Sequence, residues 1–157
     1  MNANLGKCIC LAEQSLAAGG FPVGAIIFNA NTVISSGLSC TEATNDVTAH
    51  AEIQAIRSAG KRAFGGILYS SLEPCMMCLA ASSWAGIRRV IFACSRSAVD
   101  PAYFETSSSS AEIAQLLKSR MEIIAETSRE KEVVNLILRW QAQHTQFQIR
   151  TNDLPAR

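Results

Sequence analysis

The chain has 157 residues, a formal net charge of +1 and 48% hydrophobic residues. By length this is one domain, too apolar to be disordered and long enough to bury a core without disulfide staples. No uncharged apolar run of about 18 residues occurs, which argues against a spanning helix, and the near-zero charge argues against a dedicated nucleic-acid coat while leaving a local basic patch open.

Residues 5–18 read as a helix, with Leu5, Ile9, Ala12 and Leu16 on one face. Gly19-Gly20 and Pro22 stop it. Val23 to Phe28 reads as a strand, Asn29-Ala30-Asn31 as a turn, and Thr32 to Leu38 as the antiparallel return. A polar loop follows to residue 48. Ala49 to Ala59 is rich in helix formers and ends before Gly60. Ile67 to Leu72 is a strand. Pro74 opens a helix over Cys75 to Ala85, and Arg89 to Cys94 is a strand buried on both faces. Residues 101–110 form a serine-rich loop. Amphipathic helices over 111–120 and 130–143 flank an edge strand at 121–126. Trp140 is read as core, and the segment from about 144 as a tail packing over the site or a partner subunit. The alternation of strand and helix predicts an α/β layer fold with parallel neighbours in its second half.

The N-terminal Met-Asn-Ala-Asn-Leu-Gly-Lys matches neither a secretory nor a transit signal. A reducing, cytoplasmic location is therefore expected, in which the six cysteines serve metal binding or packing and not disulfides. Cys75 and Cys78 are three apart, on one face at a predicted helix N-terminus, where free N–H groups and the helix dipole favour thiolates. Two thiolates with the imidazole of His50 suit zinc, and three protein ligands leave the fourth position open for water or hydroxide, as in catalytic zinc sites. His50 and Glu52 point about 200° apart on a helix. They serve one site only if the metal lies beyond the helix end, with Thr48 or a neighbour as cap. Two helix N-termini aimed at one zinc are thus expected, with Glu52 as proton shuttle.

The segments Asn45-Asp46-Val47-Thr48-Ala49-His50-Ala51-Glu52 and Leu72-Glu73-Pro74-Cys75-Met76-Met77-Cys78 resemble the signature of zinc nucleobase deaminases. The resemblance is to the cytidine deaminase-like superfamily, in the branch of bacterial guanine deaminases and tRNA adenosine deaminases, and runs from Pro22 to about Glu105. It implies a three-layer α/β/α fold with a central mixed sheet of about five strands, one zinc per chain, a homodimer whose pockets border the subunit interface, and substrate contact by the backbone N–H of Ala51. Val23, Ser39, Trp84 and Phe104 would line the pocket.

Trp84, Asn45 and the Phe104-Glu105 pair match positions of the guanine deaminases. Val23 stands where those enzymes carry a stacking phenylalanine. Ser39 replaces a substrate-binding asparagine, and Ala98 lies near the position of a purine-binding aspartate. The sequence therefore points to an aminated nucleobase or nucleoside without fixing which. The alternatives are a tRNA wobble adenosine-to-inosine deaminase and, in another class, a non-catalytic zinc module. From Arg129 onward five cations mix with three acids, which disfavours a phosphate-binding face. Taken alone, Cys-x-x-Cys could be a redox pair or half of a structural zinc site. The upstream His-Ala-Glu weighs against both. Cys8, Cys10 and Cys94 are expected to be buried small hydrophobes, Cys40 a loop spacer, and His144 a residue of a solvated helix end.

Overall fold

A computed structural model describes residues 2–144. The proposed C-terminal tail lies outside these residues. In chain order the elements are α1 (Asn2–Ala17), β1 (Gly24–Asn29), β2 (Thr32–Leu38), α2 (Thr41–Thr44), α3 (Ala51–Ala59), β3 (Ile67–Ser70), α4 (Met76–Trp84), β4 (Arg89–Phe92), α5 (Ser110–Leu116), β5 (Glu122–Ala125) and α6 (Glu130–Gln143). Short 3-10 turns fill several of the connections.

The five strands form one sheet in the order β2-β1-β3-β4-β5. Strand β1 is antiparallel to both neighbours, while β3, β4 and β5 run parallel. The β1–β2 hairpin closes through Ala30 (φ 47°) and Asn31 (φ 61°), and two successive positive φ values match the twist of antiparallel strands. Helices α1 and α6 pack together, with α1 lying on β1, and α3, α4 and α5 form a second layer along the sheet. This is the expected three-layer architecture, with a mixed sheet and helices on both sides.

Each layer follows from its apolar spacing. On α1 the stripe Leu5, Ile9, Ala12 and Leu16 is buried against the sheet, and on α6 Val133, Leu136, Ile137 and Trp140 repeat the same three-to-four rhythm. Two glycines let helices sit directly on strands. A Cβ on Gly24 would collide with the Cys8 carbonyl of α1, and one on Gly37 would collide with the Ala51 carbonyl and stand 2.6 Å from the Ala55 nitrogen of α3.

Several boundaries differ from the sequence reading. The helix expected to reach residue 120 stops at Leu116, because Leu117 turns to ψ 144° and packs on the core. The strand from Ile67 ends at Ser70, and α2 arises within a stretch read as loop. Cys10 is corrected: it is exposed, whereas Cys8 and Cys94 are buried. One residue turns a helix by about 100°, so Cys10 leaves the face that its neighbour Ile9 occupies. Burial pushes the Cys8 and Cys94 thiols up to about 12, which makes them inert packing groups. No helix among the described residues is long and apolar enough to cross a membrane.

Candidate active site

Two helices converge on one point. His50 is the N-cap of α3 with extended backbone (φ −68°, ψ 154°), and Cys75 is the N-cap of α4 in the same conformation (φ −72°, ψ 171°). Neither caps its helix with its side chain, so both side chains remain available for other work. The cap is His50 itself and not Thr48. Thr48 belongs to the preceding turn, where its N–H and hydroxyl both donate to Asp46 Oδ1 at 2.8 and 2.6 Å. That turn delivers the chain to His50, whose N–H donates to the Thr48 carbonyl.

His50 Nδ1 lies 3.6 Å from the sulfur of Cys75 and 3.6 Å from that of Cys78, and the two sulfurs are 3.7 Å apart. Zinc–thiolate bonds of about 2.3 Å and zinc–imidazole bonds of about 2.0–2.1 Å, meeting at a tetrahedral angle, set donors roughly 3.5–3.8 Å apart. The three donors match that triangle, and they are the one metal-competent group of histidine, cysteine and acid side chains among the described residues. The donor set is soft enough for zinc and one ligand short of a closed site.

The three groups also shift one another's pKa. The hydrogen bond with Cys78 lowers the Cys75 thiol to about 4, with His50 adding to the effect against burial. The Cys78 thiol is pushed up by its hydrogen bond to Cys75 and by burial. His50 is raised by its hydrogen bond to Cys75, against the opposing effect of burial.

Glu52, in the first turn of α3, is buried. Its Oε1 accepts the Ser70 hydroxyl from the end of β3 at 2.8 Å, and its Oε2 faces Cys78 Sγ at 3.4 Å. Burial raises its pKa, with the Cys75 charge acting the same way. A buried carboxylate with one anchored oxygen and a raised pKa is suited to taking and returning a proton. Glu73 is also buried, and its two oxygens accept the N–H groups of Arg96 and Ser110 at 2.9 and 2.7 Å. It ties the loop after β4 to the start of α4.

These groups border a cavity of about 230 Å³. Val23, Ser39, Ala51 and Phe104 line it beside His50, Glu52 and Cys75. Cys78 sits just behind, fully buried. Trp84 is not brought in: it is 93% exposed at the end of α4 and is absent from the lining. Its residue-by-residue match to a pocket position does not place it in this chain's own cavity.

The sequence reading missed Phe21, Glu42, Glu73, Tyr103 and Trp140, all of which line the cavity. Trp140 is core as read, 2% exposed, yet one part of it faces the cavity. Phe21 packs on Tyr103 and Trp140 with ring centroids 4.8 and 5.0 Å away. Phe104 lies under the Arg96 guanidinium, 4.3 Å from it, and packs against Ile53, Cys75 and Cys78. Arg96 in turn donates to the carbonyls of Thr106 and Ser108. No periodicity points these residues at one cavity, because they come from several separate segments.

Comparison with known proteins follows the same division. The sequence model of the cytidine and deoxycytidylate deaminase zinc-binding region matches residues 3–94. A tRNA-specific adenosine deaminase of Buchnera aphidicola is 42% identical over 92 residues, covering 55% of this chain and 57% of that protein. A guanine deaminase of Bacillus subtilis is 39% identical over 110 residues, covering 66% and 70%. The chain thus spans little more than half the length of the first of these relatives. A structure from work on A-to-I editing by tRNA:A34 deaminases superposes with a TM-score of 0.71 at 26% identity, covering 87% of this chain and 99% of that one. A guanine deaminase from Nitrosomonas europaea superposes with a TM-score of 0.75 at 24% identity, covering 89% and 84%, and shows the shared fold.

Proposed function

Starting from the fact that the chain belongs to the cytidine and deoxycytidylate deaminase zinc-binding family, we propose that it removes the amino group of a small aminated nucleobase or nucleoside by hydrolysis, releasing ammonia. One observation carries the choice of a small substrate. The described residues lining the cavity include Glu42, Glu52 and Glu73 and not a single Lys or Arg. A polyanion would meet carboxylates and no counter-charge, whereas an N–H-rich heterocycle meets acceptors.

In this reading His50 Nδ1, Cys75 Sγ and Cys78 Sγ would hold zinc, which would supply Lewis acidity and lower the pKa of water toward neutrality. Glu52 would take one proton from the attacking water at the oxygen that Ser70 does not anchor and pass it to the ring nitrogen, then take the second proton from the added hydroxyl and pass it to the leaving amine. Burial raises its pKa above the usual carboxylate range, the direction that favours taking up a proton. Ala51, the first residue of α3, has an N–H without an intrahelical acceptor, placed to bind a substrate carbonyl. Val23 and Ser39 shape the remaining wall. A cytoplasmic location goes with this reading, because the thiol ligands need a reducing medium. So does a homodimer, since Trp84 becomes a site residue only where pockets border a subunit interface.

The deciding experiment is an ammonia-release panel of guanine, cytosine, adenine, isocytosine, their nucleosides and an anticodon stem-loop, with zinc analysis. Turnover of a base or nucleoside is expected. A Glu52→Ala variant is expected to keep its zinc and lose about 10²–10⁴-fold in rate. Turnover of the stem-loop alone would favour the second reading, a tRNA adenosine deaminase, which the relatives of that name support. Full zinc with no turnover at all would leave a zinc-binding module.

A further inference from the structure

The shared sequence signature ends at residue 94, but the cavity does not. Tyr103 and Trp140 lie beyond it and join Phe21 in one wall. The three rings meet at steep angles: 54° between Phe21 and Tyr103, 85° between Phe21 and Trp140, and 77° between Tyr103 and Trp140. Edge-to-face aromatic contacts of this kind fix ring positions. The wall is braced from behind. The Gln141 side-chain amide donates to the Tyr103 hydroxyl at 2.5 Å, and His144 stacks on Trp140 at 4.5 Å, with Nδ1 against the Trp140 carbonyl at 2.9 Å. Helix α6 therefore holds both the ring and the residue that pins its neighbour.

The wall and the cavity size act together. About 230 Å³ lies below the roughly 300–1,000 Å³ of pockets for drug-sized ligands, so a planar heterocycle leaves little room to spare. Sugar hydroxyls set against aromatic carbon would lose their water without gaining partners, which costs binding. The Tyr103 hydroxyl oxygen accepts from the Gln141 amide, which holds the ring in its place in the wall.

We propose that Phe21, Tyr103 and Trp140 are the specificity-determining surface of this enzyme: an aromatic wall that selects a free, phosphate-free aminated heterocycle over its nucleoside. The proposal rests on the deaminase reading above and goes further by naming the substrate class and the residues that set it.

The test compares base and nucleoside in the zinc-loaded enzyme and in Trp140→Leu, Tyr103→Phe and Gln141→Leu variants. The parent enzyme is expected to prefer the base by at least tenfold in kcat/KM. Trp140→Leu is expected to raise KM for the base about tenfold with kcat little changed, and to shrink the preference by a similar factor. Trp140→Phe should restore most of it. Tyr103→Phe and Gln141→Leu, which keep the rings, are expected to shift the preference two- to threefold.

Because Trp140 is also core, thermal unfolding and zinc content accompany each variant. Should Trp140→Leu not fold, the other three decide. A preference that stays constant while both substrates weaken together, or a parent that favours the nucleoside, overturns the proposal. Isothermal titration in the Glu52→Ala background separates the two levels. Base binding weakened by the wall substitutions, without turnover in the parent, would sink the deaminase reading and leave the wall. Turnover with binding indifferent to the wall would do the reverse.

Discussion

The two ends of the cavity are built in opposite ways. At the metal end, His50, Glu52, Cys75 and Cys78 come from the first turns of two helices, and backbone geometry fixes them: both caps are extended, and Ser70 anchors the carboxylate. At the aromatic end, rings from the α1–β1 connection, a loop after β4 and the last turns of α6 lean on one another. The first kind of construction tolerates no substitution, since a ligand displaced by about 1 Å no longer binds. The second can be repacked, since ring contacts distribute over many atoms. In the proposed reading, chemistry sits where backbone geometry fixes the side chains, and selectivity where side chains can change without moving the backbone.

Four experiments test that contrast, in decreasing order of expected consequence. Cys78→Ala is expected to abolish zinc binding at equimolar metal and bring deaminase activity to background, because two donors cannot hold a catalytic zinc. Retained zinc by elemental analysis would contradict the assigned triangle. Ser70→Ala should leave zinc and KM unchanged while lowering kcat about tenfold, the scale of one hydrogen bond to a charged group. That bond lowers the Glu52 pKa, so its loss moves the acid limb of the pH–rate profile to higher pH. An unmoved limb would deny Ser70 its positioning role.

Between the two ends, Arg96→Ala removes the clamp on Phe104, which packs against Cys75 and Cys78, and on the Thr106 and Ser108 carbonyls. The expected result is a KM raised several-fold, with stability lower by about 1–2 kcal/mol, or roughly 3–8 °C in Tm. The mildest effect concerns the metal-free protein. The folded Cys75 pKa of about 4 lies below the ordinary thiol value near 9. The thiolate's contribution to stability is therefore fully present above pH 9 and is lost as pH falls toward 4. Between pH 6 and 8 alkylation of Cys75 should be nearly independent of pH, while an exposed reference thiol speeds up about tenfold per unit. Mass-spectrometric mapping of iodoacetamide labelling reads this directly, and a rate at Cys75 that climbs with pH would refute it.

The same contrast explains what the sequence disclosed. One residue between His50 and Glu52, and two between Cys75 and Cys78, are spacings that fall within one turn of helix, so the metal end was legible from a dozen residues. The fold was legible for a similar reason: the stripe on α1, the hairpin turn and the alternation of strand and helix are all short-range patterns. The aromatic wall was not. Phe21 sits between Gly20 and Pro22 with no period around it, and Trp140 carries the apolar spacing of a core residue, which it also is. Their meeting depends on α1 packing against α6, a long-range event. Trp84 shows the converse limit, since its sequence position matched a pocket residue while its side chain stands in the open.

Gly37 on β2 has a consequence for the depth of the metal. Because the Ala51 carbonyl rests where a Cβ would stand, the sheet acts as a depth gauge for α3. Adding one methyl group there would lift the helix and carry His50 and Glu52 with it, while Cys75 and Cys78, seated on another helix, stayed behind. The alignment of the metal triangle is thus gauged by an atom missing from a strand that supplies none of its ligands.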